Sequence, residues 1–174
     1  MTYRLKKTIP YTLPWFALIL TTACGYHFSG GGELPGGIRT VSISIFENRS
    51  GETGIETILT NDLVNQFTRF DTVRIVGKDQ AEAILTGTIR SARTRTIAHK
   101  SPSQPTERRI TLFLNVAMHS PDGRPIWSAK DIAASDSFEM ASDKRRTGQN
   151  KKSAIAKLSE RLAERIYYRL TGQF

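Results

Sequence analysis

The chain has 174 residues, of which 39% are hydrophobic and 24% are charged, and this balance excludes a disordered or collagen-like protein. Lys and Arg number 25 against 16 Asp and Glu, so the formal net charge is +9 and favours anionic partners such as nucleic acid or anionic lipids. The single cysteine, Cys24, excludes an internal disulfide and a metal cluster held by several cysteines.

The first 23 residues have the order of a bacterial secretory signal. Arg4, Lys6 and Lys7 form a positively charged start, and an apolar block from Ile9 to Leu20 follows. As a helix, that block would rise only about 18 Å, whereas the hydrocarbon core of a bilayer is about 30 Å thick. Residues 1–23 are therefore predicted to be a signal peptide rather than a membrane-spanning helix.

Cys24 lies at the end of this signal. Ala23, Cys24 and Gly25 resemble the end of a bacterial lipobox, in which the chain is cut before a cysteine whose thiol carries lipid, although Thr21 stands where leucine is usual. The alternative is a plain signal peptide, or a short buried helix with Cys24 as an ordinary core residue. We expect acyl chains on Cys24 to anchor the mature chain in a membrane. Gly25 lacks the acidic side chain typical of inner-membrane retention, which by resemblance indicates the outer membrane.

Residues 24–37 are predicted to be the lipid anchor and a flexible tether, because residues 29–37 read SGGGELPGG. Residues 38–174 are predicted to form a single α+β domain. Its first strand alternates from Thr40 to Phe46 and places on one face Val41, Ile43 and Ile45.

An amphipathic helix is predicted after this strand. Thr53 and Glu56 have the spacing of a capping box, which predicts that the helix begins at Thr53. A short strand is predicted from Thr72 to Val76. Between them, apolar residues recur every three or four positions and form one stripe: Ile55, Leu59, Leu63, Phe67 and Phe70.

Three long strands follow. In the first, from Ala83 to Ile97, alternation gives Arg93 and Arg95 the parity of Leu85 and Ile89, which predicts a strand that outruns the core and projects past the sheet edge. A proline-containing loop leads to the second strand, from Arg109 to His119, whose apolar face is Ile110, Leu112, Leu114, Val116 and Met118.

The last strand is predicted from Ile126 to Phe138, after the turn signal of Pro121, Asp122 and Gly123. A final helix is predicted from about Lys151 to Leu170, with a buried stripe of Ile155, Leu158, Leu162, Ile166 and Leu170. The predicted fold class is α+β, with about four mostly hairpin-connected strands packed on two helices.

No catalytic or metal site is predicted. His27, His99 and His119 lack the spacing of a zinc site, and the acidic residues form no pair that periodicity would bring together. The glycines at 30–32 follow no strand and open no helix, so they do not form a phosphate-binding loop. We expect a protein that is not an enzyme and carries no cofactor.

Basic residues form two groups. One surrounds the long loop, and the other leads into the final helix, where Lys144, Arg145, Arg146, Lys151 and Lys152 could lie at either end of the sheet. Arginine suits phosphate because its planar fork donates two hydrogen bonds at once. The candidate ligands of a phosphate-bearing lipid are Arg90, Arg93, Arg95, Lys100, Arg108, Arg109, Lys144 and Arg145.

Basic residues can also be plain surface or can bind nucleic acid. Taken singly, each one can be merely solvated, and Glu160 and Glu164 offset the helix ridge beside Lys157 and Arg161. Nucleic acid is not expected, because an exported lipoprotein meets little of it. The strands also lack the interleaved aromatic residues on which bases stack.

The chain resembles the outer-membrane lipopolysaccharide-assembly lipoproteins, the LptE-like family. The expected mature start, CGYHF from Cys24 to Phe28, is similar to the family's Cys-Gly-aromatic opening. The order of the first strand and helix, the segment AILTGTI before an arginine-bearing hairpin, and the C-terminal helix are similar as well. This resemblance spans nearly all of residues 24–172.

The resemblance implies a sheet of about four strands on two helices that sits as a plug inside a large LptD-like β-barrel of the outer membrane. It also implies a lipid-anchored protein on the periplasmic side that contacts lipopolysaccharide and supports barrel assembly. The family has no fixed motif from which individual lipopolysaccharide-binding residues could be assigned in this sequence. The basic residues named above therefore rest on charge and placement in this sequence alone.

A second resemblance leaves a different class open. Residues 43–51, ISIFENRSG, are similar to a strand and turn of periplasmic lipoproteins that activate peptidoglycan synthases or form secretion pores. That alternative leaves the basic hairpin from Arg90 to Arg109 unexplained.

Overall fold

A computed structural model describes residues 32–98 and 106–172. Two of the candidate residues, Cys24 and Lys100, therefore lie outside the described residues. The helices and strands, numbered here in chain order, are β1 (Thr40–Ile43), β2 (Glu47–Asn48), α1 (Ile55–Thr68), β3 (Arg74–Ile75), β4 (Ala83–Ala98), β5 (Glu107–His119), β6 (Pro125–Glu139) and α2 (Lys144–Leu170).

The strands form one mixed sheet in the order β3-β1-β4-β5-β6, and β2 also pairs with β4. The long strands β4, β5 and β6 are antiparallel neighbours. The short strands pair in parallel, because α1 carries the chain back between them as a crossover. The predicted α+β fold class is confirmed.

Both helices pack on one face of this sheet. The apolar stripes predicted for α1, β5 and α2 are buried, with Leu63, Leu112 and Leu162 each 0% exposed. Burying a side chain of this size contributes about 1.5–3 kcal/mol, so these stripes supply most of the driving force. Tyr167 joins the two helices, since its ring centroid lies 5.2 Å from that of Phe67 in an edge arrangement.

The predicted end of the first strand, at Phe46, is wrong. β1 stops at Ile43, so Ile45 is 73% exposed instead of facing the core. Phe46 is buried in its place and packs against Gly87, where an added Cβ would lie 2.1 Å from the ring. Position 87 therefore requires glycine because of a close approach and not because of a turn.

Both helix starts also differ from the sequence-based expectation. The capping box at Thr53 does not form, because α1 begins at Ile55 after Gly54 in a left-handed conformation with φ of 88°. The second helix begins at Lys144, about two turns earlier than predicted. Asp143 caps it by accepting a hydrogen bond from the amide of Arg145 at 3.0 Å.

A β-bulge changes the faces of β4. Ile89 pairs with Leu114 and Ser91 with Phe113, so Arg90 is an extra residue opposite no partner of its own. The alternation shifts by one from that point, and Arg93 lies on the face away from the helices. The prediction that Arg93 and Arg95 share the face of Leu85 and Ile89 is wrong. The prediction that the strand outruns the core is confirmed, because residues 93–97 are exposed on both faces, although β4 stays paired with β5 as far as Ala98.

The long strands give the domain two distinct ends. The tether end contains the start of β4, the end of β5 and Leu34, which is 3% exposed and packs on the core although it lies in the predicted tether. The hairpin end contains Ala98, Glu107 and Glu139 together with the start of α2. The sixteen residues of β4 separate the two ends by roughly 50 Å.

Candidate functional site

The sheet face that points away from α1 and α2, here called the open face, is polar. On β5 it carries the residues that alternate with the buried stripe, and these are Thr111, Phe113, Asn115 and Ala117. On β6 it carries mainly serine, aligned opposite β5 at Ser128, Ser135 and Ser137. The open face has no helix over it among the described residues.

A concavity of about 460 Å³ lies on the open face at the hairpin end. Arginines of two neighbouring strands line it together with one aromatic ring. We call it the arginine groove, and its lining residues are Arg93, Arg95, Thr96, Ile97, Arg109, Thr111, Phe113 and Ser135. It brings together three of the candidate ligands from β4 and β5.

The arginine groove concentrates positive charge without compensation. Arg95 and Arg109 are directly opposite in the strand register, an arrangement of like charges that destabilises a sheet. No acidic residue lines the groove, and within the described ranges neither arginine forms an ion pair. A bound phosphate would relieve this repulsion while accepting hydrogen bonds from both guanidinium groups.

Phe113 gives the groove a fixed wall. The guanidinium carbon of Arg93 lies 5.2 Å from the centroid of the Phe113 ring. A cation–π contact at an exposed position contributes about 0.5–1 kcal/mol and orders the arginine side chain. Sequence reasoning missed Phe113, Thr111 and Ser135, although the parity opposite to the buried stripe of β5 would have placed Thr111 and Phe113 beside the cations.

Arg90 is not part of this groove. Its guanidinium forms an ion pair with Asp131 of β6, reaching across β5 at the level of Asn115. Asp131 lies in a second bulge with φ of 54°, and its amide donates to the Asn115 side-chain oxygen at 3.1 Å. The Arg90–Asp131 pair thus crosses the open face just below the arginine groove. We assign Arg90 a structural role.

A second concavity, of about 410 Å³, lies below that ion pair and nearer the tether end. Small side chains line most of it, and the exposed Ile45 lies beside Thr86 and Thr88. Its only basic lining residue is Lys130. The lining also includes the acidic Glu47, so the open face is divided into a cationic upper part and a lower part with one charge of each sign.

The remaining candidates lie at the same end on the other side of the sheet. Arg108 pairs with Phe138, whose side chain is buried under α2, so it has the parity of the helix side. Lys144 and Arg145 are exposed on the first turn of α2. The sequence did not decide at which end of the sheet Lys144 and Arg145 lie. The structure places both at the hairpin end.

Several basic residues of α2 hold the fold together. Lys151 forms an ion pair with Glu52 in the loop before α1. Arg161 contacts the carboxylate of Asp136 at 3.1 Å, and the guanidinium of Arg165 donates to the backbone oxygen of Ala133. These contacts account for three of the nine basic residues of α2 without a ligand.

The turn that resembles other periplasmic lipoproteins, in residues 43–51, makes hydrogen bonds within the domain. Asn48 donates from its side-chain amide to the Glu52 carbonyl at 2.8 Å and to the Glu56 carboxylate at 2.6 Å. Its side-chain oxygen accepts from the Ser50 amide at 2.9 Å. These bonds satisfy the loop that leads into α1, so the turn needs no partner protein to account for its sequence.

Metal and membrane-spanning features are absent from the described residues. No group of three or more His, Cys, Asp or Glu side chains among them is placed to hold a metal ion. None of the described helices is both long enough and apolar enough to cross a bilayer.

Comparison with known proteins identifies the family. A family model described as LptE, lipopolysaccharide-assembly, matches residues 38–170. The chain belongs to the LptE family. This result confirms the resemblance drawn from the sequence, and it makes the protein a membrane-associated lipoprotein of lipopolysaccharide assembly, from a family that is not enzymatic.

Solved structures share the LptE-like fold at low sequence identity. A lipoprotein B from Nitrosomonas europaea aligns with a TM-score of 0.58 and 14% identity, over 85% of this chain and 91% of that one. The rare lipoprotein B from Shewanella oneidensis aligns with a TM-score of 0.51 and 14% identity, over 77% and 95% of the two chains. No curated protein sequence matches the chain.

Proposed function

We propose that this LptE-family chain binds the phosphates of lipopolysaccharide in the arginine groove while it sits as a plug inside an LptD-like β-barrel. The observation that carries the proposal is the alignment of Arg93, Arg95 and Arg109 on one open face with no acidic residue among the groove's lining. Lipid A phosphates are paired anions, and planar guanidinium groups bind such oxygens in forks. The chemistry is binding and not turnover.

The placement of the chain entry and the groove at opposite ends of the domain supports a plug. The chain enters the domain at Leu34, at the tether end, whereas the groove lies near the hairpin end. Most of the roughly 50 Å length of β4 separates them, which exceeds a hydrocarbon thickness of about 30 Å. A domain anchored at the periplasmic leaflet and held in a barrel could thus present its groove deep within the lumen.

The composition of the open face fits a barrel interior. Lumens of large barrels are polar, and a plug must meet them with polar groups. Serine and threonine supply such groups along β4, β5 and β6, here at Thr86, Thr88, Thr111, Ser128, Ser135 and Ser137. We propose outer-membrane localisation with the domain on the periplasmic side, and a role in supporting assembly of the barrel.

The test is a charge-matched comparison of lipopolysaccharide affinity. One variant carries Arg93→Gln, Arg95→Gln and Arg109→Gln, which empties the groove of cations. The control carries Arg74→Gln, Lys78→Gln and Lys152→Gln, which removes the same number of exposed charges elsewhere. Affinity of the detergent-solubilised full chain is measured by titration with purified lipopolysaccharide at fixed salt.

We expect the groove variant to lose at least about tenfold in affinity, since losing a few charge-assisted hydrogen bonds exceeds the 1.4 kcal/mol that a factor of ten represents. The control variant should change affinity by less than threefold through general charge. Equal losses in the two variants, with both folded by circular dichroism, would show that binding depends on net charge and not on the groove.

A further inference from the structure

At the hairpin end, the outer edges of β6 and β4 differ in whether other groups bond to their backbone. The outer edge of β6 has its backbone oxygens occupied by side chains of α2. Arg165 donates to the oxygen of Ala133, and Asn150 donates to the oxygen of Glu139 at 2.9 Å. Covering an edge in this way prevents another chain from pairing with it.

Among the residues that the structure describes, none covers the outer edge of β4 over its last eight residues. β1 pairs with β4 at Ala83, Ile84 and Leu85, and β2 pairs with it at Thr88 and Ile89. The final backbone bond on this side runs from the amide of Arg49 to the oxygen of Ile89, at 2.9 Å. From residue 91 to residue 98, β4 has β5 on one side and no strand of the described residues on the other.

The register shows which backbone groups are left pointing outward. In an antiparallel pair, every second residue directs its N–H and C=O away from the partner strand. The oxygen of Ile89 points outward to Arg49, and the bulge at Arg90 shifts the alternation by one. The outward groups beyond the bulge are therefore those of Ala92, Thr94 and Thr96, while those of Arg93 and Arg95 bond to β5.

Charge on this edge selects what could pair with it. Arg93 and Arg95 flank the outward backbone groups on the open face. A second copy of the chain at the same edge would bring arginine against arginine, which is unfavourable. A strand with acidic side chains at every second position would instead set carboxylates beside them.

We propose that the outer edge of β4 from Ser91 to Ala98 accepts an extended acidic segment of a partner protein as an additional strand. Backbone hydrogen bonds to Ala92, Thr94 and Thr96 would supply the pairing, and Arg93 with Arg95 would select the acidic side chains. This goes beyond lipopolysaccharide binding, because the edge offers a peptide ladder that a lipid phosphate does not use. The hairpin end thus has two ligand surfaces that share their cations.

The probe is a fluorescent peptide of alternating Glu and Val residues, titrated into the full-length chain in detergent. A second peptide has the same sequence with N-methyl groups on alternate backbone nitrogens, and a third has Lys in place of Glu. The key variant is Thr94→Pro, since proline at an edge removes an outward donor and leaves the β4–β5 bonds in place. Ser137→Pro, at an exposed outward position of β6, is the matched control.

We expect the unmodified acidic peptide to bind the parent chain and to lose at least tenfold in affinity with Thr94→Pro, but not with Ser137→Pro. N-methylation on the pairing edge should cause a similar loss, and the Lys peptide should not bind. Bound peptide should slow hydrogen exchange at the amides of Thr94 and Thr96. Thr94→Pro should leave lipopolysaccharide affinity within twofold, which separates this proposal from the function proposed for the groove.

Three results would overturn the added strand. Equal binding of the methylated and unmethylated peptides would show attraction to the arginines alone, and this comparison needs no variant to fold. Undiminished binding to a folded Thr94→Pro protein would show the same. Absence of any binding by the parent chain at low salt would show that this edge is not available to a partner.

Discussion

Glu82 joins the beginnings of β1 and β4. Its carboxylate accepts hydrogen bonds from the backbone amides of Arg39 at 2.7 Å and Thr40 at 3.0 Å. These bonds favour the charged form and lower the pKa of Glu82 from its ordinary value. Because the folded pKa is the lower one, the stability from Glu82 is present above the unfolded pKa and is lost as the pH falls through the folded pKa.

Replacing this carboxylate should therefore change how stability depends on pH. We expect Glu82→Gln to lower the melting temperature at neutral pH and to flatten its decrease in the acid range between about pH 5 and pH 3. Thermal melts followed by circular dichroism measure both effects, and Glu160→Gln on the exposed side of α2 is the control. Parallel profiles for Glu82→Gln and the parent chain would contradict the role given to this carboxylate.

The elements show what a sequence can and cannot predict. The buried stripes of α1, β5 and α2 were predictable, because apolar periodicity reports directly which face is buried. The faces of Arg93 and Arg95 were not, because counting by two assumes an unbroken ladder and the bulge at Arg90 adds one residue. Whether a strand carries a bulge depends on the strand it pairs with, and no single stretch of residues records it.

The arginine groove depends on the same bulge. Its cations come from two strands, and sequence analysis grouped them correctly by the hairpin. It did not separate Arg93, Arg95 and Arg109 from Arg108, which faces the helix side, or from Arg90, which is paired with Asp131. Such pairings across strands appear only once the register is known.

Deletion of Arg90 tests this account of β4. Without the extra residue, Ile89 and Ser91 would keep their partners in a regular ladder, so Arg93 and Arg95 would stay on the open face. We expect a stability loss of only about 1 kcal/mol, since the lost ion pair is exposed. Lipopolysaccharide affinity should stay within about threefold, and urea unfolding with lipid titration measures both quantities.

An insertion is the contrasting change. One alanine added between Ala92 and Arg93 would turn Arg93 toward the helices, opposite the buried Ile110. The position it would then occupy is that of Thr94, which is exposed, so we expect stability to change little, whereas lipopolysaccharide affinity should fall at least about tenfold because Arg93 and Arg95 would leave the groove. If the deletion lowers lipopolysaccharide affinity and the insertion does not, the bulge assignment is wrong.

At the scale of the whole molecule, the domain has different chemistry at the two ends of its long strands. The tether end receives the chain at Leu34, which is fixed to the core, and the hairpin end holds the uncompensated arginines. A lipid on Cys24 would fix the first end to a membrane and leave the second free to face a ligand. The sequence predicted the charge and the tether separately, whereas the placement of Leu34 and of the arginine groove at opposite ends follows from the sheet topology.

Removing the thiol should separate anchoring from binding. We expect Cys24→Ala to leave an unlipidated chain that takes up no radiolabelled fatty acid, because no other cysteine is present. The purified variant should still bind lipopolysaccharide within about twofold of the parent chain, since binding is assigned to Arg93, Arg95 and Arg109 and not to Cys24. Label incorporated into Cys24→Ala would disprove lipidation at this position.

Photocrosslinking in intact cells tests the central claim most directly. A photoreactive residue placed at Thr111 lies in the arginine groove, and one placed at Asp122 lies in the turn between β5 and β6 at the tether end. We predict lipopolysaccharide adducts at Thr111 and none at Asp122, with the Thr111 adduct lost when Arg93, Arg95 and Arg109 are changed to Gln. Equal adducts at both positions, or none at Thr111 in a correctly assembled protein, would contradict the claim that this groove is the lipopolysaccharide site.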